Sequence, residues 1–76
     1  MSDRNLTDIE IGSSSVVLAL RNKADMKKRI MSIGLVEDTS VCPLYESTSG
    51  GLKAYEFRGS VFAIRDEDAK HIIVRA

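Results

Sequence analysis

The chain has 76 residues, 43% hydrophobic and 29% charged, with 11 basic side chains balanced by 11 acidic ones. Area scaling gives a folded chain of this size about 4,600 Å² of exposed surface against roughly 12,000 Å² unfolded, enough for one thin core and no second domain. Zero net charge removes the electrostatic signature of a nucleic-acid or acidic-membrane binder, and a single cysteine excludes an internal disulfide and a thiolate-rich metal site. No apolar run approaches the roughly 20 residues of a membrane helix, and the start, MSDRNLTDIE, carries no apolar signal stretch. The expectation is a cytoplasmic, non-enzymatic domain over residues 6–76, preceded by a flexible N-terminus over residues 1–5.

Five apolar clusters follow one another between turn signals. Leu6 and Ile9 form an anchoring turn that Gly12 and the serines end, and the β-branched Val16 opens a strand to Leu20. Ser13 to Ser15 read equally well as a mobile loop. Residues 22–35, NKADMKKRIMSIGL, predict a short helix capped by Asn22 or Asp25, with Met26, Ile30 and Ile33 as one apolar stripe. Gly34 supplies a left-handed stop, beneath which Leu35 packs.

From Thr39 the pattern changes to strands. Val41 to Tyr45 is one, placed at a sheet edge because Pro43 has no amide donor. STSGG at 47–51 is a loop, and KAYEF puts Tyr55 and Phe57 on one face with Lys53. Arg58-Gly59 is a tight turn into SVFAI, where Phe62 and Ile64 share a face. RDEDA at 65–69 reads as one helical turn and HIIV at 71–74 as a last strand. Strands this short, joined by turns this tight, exclude a doubly wound sheet. A closed barrel hides its edges, so the predicted fold is mainly β, a small SH3-like barrel with one short helix inserted after the first strand.

Three blocks in this order resemble the FeoA family, the small component of bacterial ferrous iron uptake, and the SH3-like C-terminal domain of DtxR-type regulators. The strongest is RGSVFAIRDEDAKHIIV at 58–74, where Arg58, Gly59, Phe62, Ala63, Ile64, Arg65, Ala69, Ile72 and Val74 fill the family's places. The second is RIMSIGL at 29–35 followed by Thr39 and Val41, and the third is Leu6, Ile9 and Gly12. Two positions depart from the pattern. Asp38 stands where glycine is frequent, a place aspartate tolerates, and Gly51-Leu52 replaces an Asp-Pro pair.

The resemblance implies an accessory protein that binds the cytoplasmic part of a FeoB-type membrane ferrous iron transporter, held at the inner face of the membrane by that partner. On this reading the contact surface is Lys27 and Met31 on the helix flank together with Ser49, Gly50, Gly51 and Leu52. A methionine beside a lysine suits an adaptable protein contact. The alternative is a weak site for Fe(II) or another divalent transition metal built from Asp66, Asp68 and His71, against the plainer reading of a capped turn and a strand histidine. Neither reading requires a cofactor. One histidine cannot assemble a nucleophile, base and orienting group from the usual set, and SGGLK at 49–53 lacks the spacing of a phosphate loop. A homodimer through another face stays open.

Overall fold

A computed structural model of the chain describes residues 4–76. In order, it contains β1 (Arg4–Asn5), a 3-10 turn (Leu6–Asp8), β2 (Ser15–Leu20), α1 (Ala24–Ser32), β3 (Ser40–Glu46), β4 (Leu52–Phe57), β5 (Ser60–Arg65), α2 (Asp66–Ala69) and β6 (Ile72–Arg75). The strands form one 6-stranded sheet in the order β1-β6-β2-β3-β4-β5, antiparallel at every pairing. The fold is mainly β and SH3-like, with α1 inserted after the first long strand as the sequence implies. The sheet is not closed into a barrel. β1 is too short to extend its edge, and α2 takes the chain away directly after β5. Even open, the molecule exposes 4845 Å², close to the scaling value for a compact chain of this size.

Arg4 and Asn5, read from the sequence as part of a flexible N-terminus over residues 1–5, pair with Val74 and Ile73; residues 1–3 lie outside the described part. Asn5 then caps the 3-10 turn by accepting from the Thr7 amide at 2.9 Å. Ser15, one of the serines that read as a loop, begins β2, is buried and pairs with Val41.

Two bulges set which side chains reach the core. In β2 the register shifts between Val17 and Ala19, so Val17 and Leu20, three apart, both turn inward. In β3 the shift between Pro43 and Tyr45 ends the inward alternation of Val41 and Pro43 and leaves Tyr45 exposed. Pro43 lies on an interior strand, not on an edge strand of the sheet. Within β3 only Ser40 and Val41 pair with β2, so at Pro43 no ladder requires a donor on that side, and the Pro43 carbonyl accepts from the Gly12 amide at 2.7 Å. Leu6, Val17, Leu35, Tyr55, Ile72 and Val74 form the fully buried centre, where each aliphatic side chain contributes about 1.5–3 kcal/mol.

α1 starts without a side-chain cap, at Lys23. Asn22 serves a tertiary role instead: it is buried, and its Nδ2 donates to the Asp68 carbonyl at 2.8 Å. Asp25 stands in the first turn, where a negative charge suits the helix dipole. The C-terminus follows the predicted stop. The Leu35 amide donates to Ile30 and the Gly34 amide to Met31, with Gly34 at φ 99°, the paired bonds that satisfy the last carbonyls of a helix. Leu35 is thereby delivered to the core with no exposed surface.

Candidate functional site

α1 and its C-cap carry the three stripe residues, but only Ile30 is buried; Met26 and the C-cap Ile33 pack on the rim of the core and stay partly open. This leaves a depression on each side of the helix. The larger, about 470 Å³, runs between α1 and β5 over Met26, Ile30, Ile33 and Leu52. Its other wall is the continuous run Phe62–Arg65, with Arg29 on the helix side and Asp68 as its one carboxylate. Phe62 is fixed by stacking on Phe57, centroids 5.4 Å apart. The smaller depression, about 320 Å³, lies on the opposite flank, where Lys27 and Met31 meet Leu20, Val36 and Glu37. Met31 is 46% exposed, unusual for a methionine on a helix that helps close the core.

The expected contact set is thus divided. Lys27 and Met31 line one depression and Leu52 the other, on opposite flanks of α1. Ser49, Gly50 and Gly51 are exposed in the turn between β3 and β4. Gly50 and Gly51 both have φ 80°, a region that favours glycine. The turn is tied down at both ends, by the Ser47 amide donating to Leu52 at 2.8 Å and the Asp66 amide donating to Gly51 at 2.9 Å. The sequence shows Phe62 and Ile64 sharing a strand face and Met26, Ile30 and Ile33 forming a helix stripe, but not that the two sets border one groove. The available signal was that Arg29 and Arg65 flank that apolar set.

A third depression, about 460 Å³, gathers Asp68, His71 and Glu67 with Arg21, Lys23 and Lys70. Asp66 is not part of it; its Oδ1 is buried and makes no hydrogen bond among the described residues. The Asp68 carbonyl accepts from Asn22 and from the His71 amide, which shapes the turn and leaves the three side chains unconverged. Among the described residues no group of three His, Cys, Asp or Glu side chains is placed to hold a metal ion. With three cations around Asp68 and His71, the local field also opposes a divalent ion.

One group has a displaced proton affinity. Burial, then the Asp66 carboxylate, then Glu46 push the Tyr55 phenol up from 10.0 to about 12. Its hydroxyl makes no hydrogen bond within the described residues, so it is held neutral by exclusion from water and by negative neighbours. It lines none of the three depressions.

No helix among the described residues is long and apolar enough to cross a membrane. No curated protein matches the chain. Among solved structures, it is similar to a FeoA-like protein from Clostridium acetobutylicum, at 25% identity and TM-score 0.89, covering 100% of this chain and 88% of that one. It also resembles the zinc-complexed FeoA of Stenotrophomonas maltophilia, described as a prokaryotic SH3 domain protein, at 22% identity and TM-score 0.75 over 92% of this chain and 87% of that one. A manganese-dependent transcriptional repressor shares the fold at 19% identity and TM-score 0.90, covering 100% of this chain and 37% of that one. The FeoA domain model matches residues 4–76, the whole described fold, and the chain belongs to the FeoA domain family.

Proposed function

We propose that this domain is a non-enzymatic accessory of ferrous iron uptake that docks onto the cytoplasmic part of a FeoB-type transporter. The observation that carries the reading is the pair of apolar depressions flanking α1 in a FeoA domain, one edged by Arg29 and Arg65 and the other by Lys27. A rigid sheet with short, tied loops presents such surfaces without ordering cost at binding. The test is an amide-shift titration with the soluble cytoplasmic domain of the cognate transporter. Shifts at α1 and the 47–52 turn are expected. Met31→Asp, at an exposed helix position, keeps the fold and weakens docking on the order of tenfold, the loss expected when a carboxylate enters an apolar contact. Unchanged affinity removes the Lys27–Met31 flank from the contact surface. No shifts anywhere at saturating partner overturn docking to that domain.

A further inference from the structure

We propose that the free edge of β5 is a strand-addition site for an extended segment of a partner protein in which apolar and acidic residues alternate. This rests on reading the domain as a docking module, and names the chemistry of what it takes.

β5 is the outermost strand on its side of the sheet. The two-residue turn Arg58-Gly59 makes Phe57 and Ser60 a hydrogen-bonded pair, and alternation then makes Tyr55–Phe62 and Lys53–Ile64 the next such pairs. The Asp66 amide reaching Gly51 at 2.9 Å continues the same ladder and fixes the phase. The backbone N–H and C=O groups of Val61, Ala63 and Arg65 therefore face away from β4, toward the open edge. The groove lies along that edge: four consecutive residues, Phe62–Arg65, line it, whereas a strand lining a cavity with its face contributes alternate residues. The opposite wall is α1.

These features select the occupant. An extended segment pairs with the outward groups of Val61, Ala63 and Arg65 and sends every second side chain toward Met26 and Ile33. A helix in the same groove leaves those donors and acceptors unpaired. Arg29 and Arg65 face one carboxylate, Asp68, so the groove favours negative charge on the segment. A second copy pairing through its own β5 brings a further set of the same arginines together, which like-charge repulsion opposes.

The probe is a short end-blocked peptide of alternating glutamate and valine, with a lysine–valine peptide as control, followed by amide shifts and hydrogen exchange. The glutamate peptide is expected to bind, to shift the amides of Val61, Ala63 and Arg65 most, and to slow their exchange. Ala63→Pro removes an outward donor on an edge strand, where proline is tolerated, and is expected to weaken binding about tenfold. Arg29→Glu with Arg65→Glu, both at exposed positions, is expected to reverse the preference between the peptides. Absence of binding, binding indifferent to Ala63→Pro with the fold intact by amide spectra, or concentration-dependent self-association through β5 in place of peptide binding overturns the proposal. The same variants titrated with the transporter's cytoplasmic domain separate the two readings. Binding that survives Ala63→Pro keeps the docking function and removes β5 as its site, whereas peptide binding without transporter binding keeps the site and removes that partner.

Discussion

β1 and β5 end the same sheet, yet β1 has two residues and β5 has six. β1 gives way at once to a 3-10 turn capped by Asn5, and the Arg4 side chain donates to the Asp8 carbonyl at 2.6 Å. An edge that short offers a passing strand almost nothing to pair with. β5 borders the groove over its last four residues, Phe62–Arg65, with Val61 51% exposed and Ala63 exposed. The sheet offers two paired residues at one edge and a six-residue strand at the other, and it is at the longer edge that strand addition is proposed.

The largest effect that would break this comparison comes from two alanines facing each other. Ala54 on β4 is in register with Ala63 on β5, but Ala54 is buried in an interior strand and its amide points to β3. Ala54→Pro removes a ladder bond and forces the ring against β3, at a cost of about 3 kcal/mol or more. Ala63→Pro is expected to cost about 1 kcal/mol, because its donor faces the open edge. Urea denaturation of both variants checks this. Equal losses would mean that β5 is not a free edge.

A smaller effect sharpens the picture of how β4 is held against β5. Tyr55, paired with Phe62, has its phenol raised from 10.0 to about 12, by burial first. A pKa raised in the folded state means that the fold favours the neutral phenol. The associated stability is complete below pH 10 and is lost as pH rises through 12, about 2–3 kcal/mol in all. Tyr55→Phe is expected to remove this alkaline loss while changing stability at pH 7 by no more than about 1 kcal/mol, since the hydroxyl makes no hydrogen bond within the described residues. Thermal melts of the two proteins between pH 7 and pH 12 read both quantities.

What the sequence made legible follows from whether the determinant is local. The stop at Gly34 and the Arg58-Gly59 hairpin depend on the backbone preferences of single residues and were readable; Asp38, with φ 71°, was noted only as aspartate at a place where the resembling family frequently has glycine. Pro43 was misplaced because its tolerance depends on where β2 stops pairing, which no local pattern records. Asn22 was one of two candidate caps, with Asp25, because its side chain suits one; its partner, the Asp68 carbonyl, is 46 positions away. The β5 groove was hidden for a related reason. Phe62, Ile64 and the α1 stripe have the periodicity of core residues, and only the open sheet shows that their shared rim is left uncovered. Lys27, Met31 and Leu52 were each read as surface contacts, but the wheel of one helix cannot show that Leu52 meets the other flank.

The smallest test returns to the protected edge. Asn5 accepts from the Thr7 amide at 2.9 Å, satisfying a donor that the 3-10 turn leaves free. Loss of such a cap typically costs about 1 kcal/mol, so Asn5→Ala is expected to lower global stability by that amount. If β1 serves only to close the sheet, the loss should be local before it is global. Hydrogen exchange should then quicken at the β1–β6 pairs, Arg4–Val74 and Asn5–Ile73, and leave β5 unchanged. Quickened exchange along β5 as well would show that the two edges are coupled through the core, and that the open edge depends on the closed one for its shape.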